Sequence, residues 1–168
     1  PALPDILAAL DAGTHVVTSA KSHHASPAHW RAIEQAIEKG GGGALFLDHA
    51  SMLAGIPATE MLAGTGFTVE SIEGVLNGTT NFILGELERG ESFGAALAEA
   101  QGRGYTEKDP NYDLEGHDVA MKLSGLARVF FGRPPERGAI SLGGLESGVR
   151  GIVGVETGRI LELAGKGK

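Results

Sequence analysis

The chain has 168 residues with a formal net charge of −7, 42% hydrophobic content and no cysteine. That length fits one domain with room for a core. The acidic balance argues against nucleic acid or an anionic membrane surface as the main partner. The missing thiols exclude disulfides, thiolate metal sites and a cysteine nucleophile, and are compatible with a reducing, cytoplasmic setting. No apolar run approaches the ~20 residues a membrane span needs, and no signal-like segment opens the sequence.

In chain order, residues 4–12 (PDILAALDA) read as the end of a helix stopped at Gly13. HVVT, residues 15–18, reads as a short buried strand. Helix, turn and strand in that order suggest a parallel α/β unit. Such a domain usually opens with a strand and a glycine-rich phosphate loop, and no G-x-G-x-x-G is found here. The expectation is therefore a chain lacking the front of its nucleotide domain. Residues 27–39 (PAHWRAIEQAIEK) predict a helix, with Pro27 near its first position and Trp30, Ile33 and Ile37 on one face.

Four glycines, 40–43, lead into a second short strand, Ala44 to Leu47. A short helix is expected over 57–65, closed at Gly64. FTVESIEGVL, residues 67–76, mixes apolar and polar side chains and predicts one or two strands. Asn77-Gly78 signals a turn, and Thr80–Glu88 a helix with Phe82, Ile83 and Leu87 on one side. Ser92 is placed to cap a helix over 92–101. Past Gly138, ISLGGL and GIVGVE are strand-like and TGRILELAG could close the chain as a helix.

The densest group of titratable residues is GYTEKDPNYDLEGHDVAMKLSGLARVFF, residues 104–131. Glu107, Asp109, Asp113 and Glu115 precede a helix on which Asp118 and Lys122 stand four residues apart. Spacing alone favours a surface ion pair contributing a few tenths of a kcal/mol. The carboxylate-rich loop and the stiff Asp109-Pro110 step point instead to a site. There the lysine could donate or accept a proton, and the sequence leaves both open. GVLNGTTNFIL supplies a second candidate, with Asn77, Thr79, Thr80 and Asn81 around Gly78, although a capped turn would use the same residues. Lys21 would lie past the carboxyl end of the first strand, where open α/β sheets bind ligands, or would be a surface loop lysine. His23 and His24 are adjacent and so expected to point apart. With His15, His29, His49 and His117 scattered and no H-x-x-x-H spacing, no transition-metal site is assigned.

Together these stretches resemble homoserine dehydrogenase. GVLNGTTNFIL is similar to that family's G-I-L-N-G-T-T-N-Y-I-L, and GYTEKDPNYDLEGHDVAMKLSGLA to its G-Y-A-E-x-D-P-x-x-D-V-E-G-x-D-A-x-x-K-L. HVVTSAK and AGIPA match shorter pieces, in the same order from about Leu7 to Gly132. The sequence departs at Ala20, where the family has Asn, and at His49, where it has Glu.

The resemblance implies an α/β (α+β) architecture: residues 1–57 a remnant of a Rossmann-like dinucleotide domain, and 58–168 a shortened mixed-sheet-and-helix catalytic and dimerisation domain. It implies NAD- or NADP-dependent interconversion of L-homoserine and L-aspartate 4-semialdehyde, in threonine and methionine biosynthesis. Lys122 and Asp118 are the implied catalytic residues, with Lys21 a second lysine at the reacting group. Substrate contacts fall to Glu107, Tyr105, Asn77, Gly78, Thr79 and Asp113, and cofactor contacts to Thr18, Ser19 and Lys21. A monovalent cation (Na+ or K+) would be held by the backbone carbonyls of His49, Met52, Ala54 and Ile56. A homodimer is the implied assembly, and a non-catalytic substrate-binding or dimerisation module is the alternative.

Overall fold

The structure, a computed structural model, describes residues 2–54, 56–106, 109–135, 140–142 and 153–155. The chain divides into two compact units, Pro1–Val69 with Met121–Arg137 and Glu70–Ala120 with Gly138–Lys168. It is a helix-dominated α/β protein with a small parallel sheet. No helix among the described residues is long and apolar enough to cross a membrane.

In the first unit, α1 (Ala2–Asp11) and α2 (Pro27–Lys39) pack their apolar faces together. Proline opens α2 where its missing N–H is no loss. Three-to-four-residue spacing then brings Trp30, Ile33 and Ala36 against Ile6 and Leu10, with Ala44 completing the cluster. Leu10 and Ile33 are almost wholly buried, which stabilises the unit by roughly 1.5–3 kcal/mol for each side chain. Two strands, β1 (Val16–Val17) and β2 (Phe46–Leu47), pair in parallel with Val16 opposite Phe46 and Val17 opposite Leu47. A 3-10 turn (Ser22–Ala25) links β1 to α2, and α3 (Ala50–Leu53) and α4 (Ala58–Ala63) follow β2.

In the second unit, α5 (Gly78–Glu88) and α6 (Phe93–Gly102) bury Ile83, Ala96 and Ala100 between them. Both begin on a side-chain cap: Asn77 accepts the Thr80 N–H at 2.9 Å, and Ser92 accepts the Ala95 N–H at 3.3 Å. Leu114 of the short α7 (Asn111–Leu114) packs on this pair. The division between units falls within α8 (His117–Phe131). Antiparallel β3 (Ile140–Leu142) and β4 (Val153–Val155) belong to the second unit.

Three expectations change. Val16–Val17 of HVVT form a strand, but among the described residues it has only β2 as a partner, and Val17 is 79% exposed. Residues 67–76 form no strand. Alternation supplies a face, but a strand exists only where a second chain segment completes its ladder, and Phe67 is left 80% exposed. The loop after Asp109 contains a helical turn, α7, and just ahead of it Asp109 Oδ1 accepts the Asn111 N–H at 3.1 Å. The closing helix anticipated in TGRILELAG lies outside the described residues.

The ends of α1 and α2 approach so closely that only glycine fits. A Cβ on Gly40 would lie 2.1 Å from the Leu10 carbonyl oxygen and 2.9 Å from the Gly13 nitrogen, both backbone atoms that cannot swing aside. Gly40→Ala is therefore expected to destabilise the protein by about 1–3 kcal/mol, read as a lower thermal midpoint. An unchanged midpoint would contradict this packing.

Candidate functional site

Asn77 organises the second unit. The residue is 6% exposed, and both its amide oxygen and its NH2 are engaged. The oxygen caps α5, while the NH2 donates to Asp113 Oδ1 at 2.8 Å and to Asp118 Oδ2 at 3.1 Å. Thr79, two residues later, donates its hydroxyl to the Tyr105 carbonyl at 2.7 Å and lies 3.1 Å from Asp113 Oδ2. One proton serves those two acceptors in turn. Asp118 is buried in the first turn of α8, where the helix N-terminus favours negative charge. Burial, followed by the charges of Asp118 and Asp113, raises the Tyr112 pKa.

Two carboxylates drawn to one amide concentrate negative charge, so the network suits a small cationic group such as an ammonium. Gly78 opens α5 between the two polar side chains. Tyr105 enters through its carbonyl, whereas its ring is half exposed and rests against Phe82, with centroids 5.0 Å apart. Glu107 lies outside the described residues. Lys122 stands on α8 one turn beyond Asp118 and is half-buried.

In the first unit, Thr18, Ser19 and Lys21 follow the carboxyl end of β1. Thr18 Oγ1 accepts the Ala20 N–H at 3.0 Å and fixes that turn, Ser19 is exposed, and Lys21 is half-buried where the 3-10 turn begins. Among the four carbonyl residues, His49 accepts the Met52 N–H at 3.2 Å and turns its imidazole to Glu60 Oε1 at 2.6 Å. Ala54 has φ +54°, a strained value for a residue with a Cβ. Met52 is buried and Ile56 exposed.

The sequence reading missed a buried cluster. His23 and His24, expected to diverge, instead bring their ring centroids to 3.9 Å. Successive side chains in a 3-10 turn differ by about 120° rather than the 180° of a strand, so both rings can turn inward. His23 Nε2 donates to Asp48 Oδ2 at 3.0 Å, and His24 Nε2 lies 2.7 Å from Ser51 Oγ. Arg128 stacks on Trp30, 3.5 Å from the ring centroid, and reaches Asp48 at 3.6 Å. Gly125 admits the His24 ring to the surface of α8: a Cβ there would lie 2.6 Å from His24 Cε1 and 2.7 Å from Met52 Sδ.

Burial above all, with the charges of His23, Arg128 and Lys21 against the opposing Asp48, pushes His24 down to about 3. Its 3.7 Å approach to Asp48 is thus a neutral contact at ordinary pH. Burial pushes Asp48 up, but the His23 hydrogen bond and the Arg128 charge outweigh it and hold the carboxyl below its usual value. Only the pairing of an inward-facing 3-10 turn with DHAS, residues 48–51, could have signalled this cluster.

The chain is a helix-rich α/β protein whose second unit carries a buried, amide-linked acidic network. The protein-family model described as homoserine dehydrogenase matches residues 57–167. A homoserine dehydrogenase of Pseudomonas aeruginosa is 41% identical over 134 residues, covering 77% of this chain and 30% of that protein. An NAD(+)-dependent homoserine dehydrogenase of Pseudomonas canavaninivorans is 40% identical over 124 residues, 71% of this chain and 33% of its own length. The crystal structure of a homoserine dehydrogenase from Thiobacillus denitrificans superposes with a TM-score of 0.67 at 38% identity, over 80% of this chain and 31% of that one. The chain belongs to the homoserine dehydrogenase family and spans about a third of the length of these relatives.

The buried imidazole makes stability depend on pH. Unfolded His24 takes up a proton as pH falls through 6.5, whereas the folded residue resists until about 3. Stability is therefore full above 6.5 and declines on acidification by up to ~1.4 kcal/mol per pH unit across that window. Denaturant midpoints at pH 7.5 and 5 should show this loss, and His24→Gln should reduce it. An identical pH slope in the variant would contradict the assignment.

Proposed function

We propose that this chain is the substrate-binding and catalytic portion of a homoserine dehydrogenase that interconverts L-homoserine and L-aspartate 4-semialdehyde with NAD or NADP. The supporting observation is the Asn77 amide, which ties Asp113 and Asp118 together at the foot of the helix carrying Lys122. An amino-acid substrate brings an ammonium that such a pair of carboxylates would attract. Glu107 is proposed to complete that contact, with Tyr105, Gly78 and Thr79 shaping the same pocket.

Lys122 is the proposed acid–base group. As a cation it would stabilise negative charge developing on the substrate oxygen, and it would pass a proton to or from that oxygen. Asp118, one helical turn away, would orient it. Lys21 is proposed as the second cation at the reacting group. A nicotinamide dinucleotide, when bound, supplies the hydride donor or acceptor. The turn held by Thr18 after β1, with Ser19 and Lys21, fits the nicotinamide end of such a ligand, since open α/β sheets bind nucleotides beyond the carboxyl ends of their strands.

The proposed division is residues 1–57 as the last part of a Rossmann-like domain and 58–168 as a catalytic and dimerisation domain, a reading supported by the family match at 57–167. A Na+ or K+ ion on the carbonyls of His49, Met52, Ala54 and Ile56 is proposed on the family resemblance, with the unusual Ala54 backbone as its one local support. A homodimer and a cytoplasmic biosynthetic role complete the proposal. Exposed Val17, Leu47, Ile56, Met61 and Phe67 provide apolar surface to cover.

Titration calorimetry of the chain with L-homoserine tests the site. Binding should weaken about tenfold or more in Asn77→Ala and Asp118→Asn, the scale of losing a charge-assisted hydrogen bond. In a full-length enzyme containing this segment, Lys122→Ala should abolish turnover while leaving cofactor binding nearly intact. A Lys122→Ala variant that kept most of its rate would overturn the catalytic assignment. Light scattering should give a dimeric mass, and a monomeric mass at micromolar concentration would count against the assembly.

A further inference from the structure

We propose that His23, His24 and Asp48 form a buried binding site for a divalent transition-metal ion of the zinc class. The site lies in the first unit and uses side-chain atoms, whereas the monovalent cation is proposed on backbone carbonyls. Its ligands come from two segments 25 residues apart in sequence. One is the 3-10 turn after β1, and the other is the residue after β2 that leads to α3. All three side chains are buried, at 0%, 1% and 2% exposure.

The geometry is that of a ligand set. One ligand atom from each residue lies within 4.8 Å of the others. Around the shared Asp48 Oδ2, His23 Nε2 is at 3.0 Å and His24 Nε2 at 3.7 Å. Tetrahedral zinc, bonded to nitrogen and oxygen at about 2.0–2.2 Å, sets neighbouring ligand atoms about 3.3–3.5 Å apart. The two His–Asp distances bracket that spacing, and with all three ligand atoms within 4.8 Å of one another side-chain rotations would admit the ion. Ser51 Oγ, 2.7 Å from His24 Nε2, is a fourth polar group at the same place. Two imidazoles and one carboxylate suit zinc, cobalt or nickel, whereas calcium and magnesium prefer oxygen shells.

The tautomers can adapt. Among the described residues, neither His23 Nδ1 nor His24 Nδ1 has a hydrogen-bond partner. In each ring the proton can therefore reside on Nδ1, leaving the Nε2 lone pair for the metal. Gly125 brings the backbone of α8 against the His24 ring and Met52.

Arg128 is the opposing influence. Its guanidinium lies 3.6 Å from Asp48 and is held over Trp30. A fixed positive charge there disfavours a second cation, so the site should bind metal more weakly than an isolated His2Asp set and should tighten when Arg128 is replaced.

The test is titration of the chelator-treated 168-residue chain with Zn2+ and Co2+, with bound metal measured after equilibrium dialysis. The proposal expects one equivalent retained, a rise in thermal midpoint, and a Co2+ visible spectrum of tetrahedral intensity. His24→Gln should lose the equivalent, a variant with His15, His29, His49 and His117 all changed to Gln should keep it, and Arg128→Met should bind about tenfold tighter or more. Where His24→Gln does not fold, the paramagnetically shifted protons of the Co2+-loaded parent decide, with two coordinated imidazoles expected. No retained metal, an octahedral Co2+ spectrum, loss of binding in the four-histidine variant, or fewer than two coordinated imidazoles would each overturn the proposal.

Discussion

A single side-chain amide holds the second unit's polar centre together. Asn77 has two donors and an acceptor inside a buried space, and each finds a partner in a different element: Asp113 in α7, Asp118 in α8 and the Thr80 N–H in α5. Replacing it would leave two carboxylates facing each other and a helix start uncapped. A buried amide that bridges two acids is an arrangement hydrophobic packing alone would not produce. It links local structure, the capped start of α5, to the chemistry proposed for the chain.

The first unit rests on a different constraint, the close approach of helix ends and rings through glycine. Gly40 lets α2 end against the end of α1, and Gly125 lets the His24 ring lie on α8. Around that second contact sits a buried set of charges and imidazoles. The low pKa of His24 follows chiefly from burial, and the lowered pKa of Asp48 from its partners overcoming burial. The protein thus keeps a neutral imidazole beside an ionised carboxylate at ordinary pH.

Elements governed by local pattern were legible in the sequence. Pro27 with Trp30 and Ile33 gave α2 and its buried face, and Ser92 marked the start of α6. The site was legible in part: Asn77, Thr79, Asp113 and Asp118 were singled out, and they meet. Their roles came from motif resemblance, because the spacing of Asp118 and Lys122 alone fits a surface ion pair. What pattern could not supply was non-local. Residues 67–76 alternate like a strand, yet no ladder forms there, since pairing depends on another segment. The histidine pair departs from its sequence expectation for a related reason: whether adjacent side chains diverge depends on the backbone turn they occupy, and composition does not specify a 3-10 turn.

The central claim, that the Asn77 network is the cradle for an amino-acid substrate, is tested most directly by mapping amide chemical shifts of the 15N-labelled chain as L-homoserine is added. The account predicts saturable changes concentrated at Asn77–Thr80, Tyr105 and Asp113–Lys122. Absence of saturable shifts there, or shifts confined to α1, α2 and the histidine cluster, would contradict it.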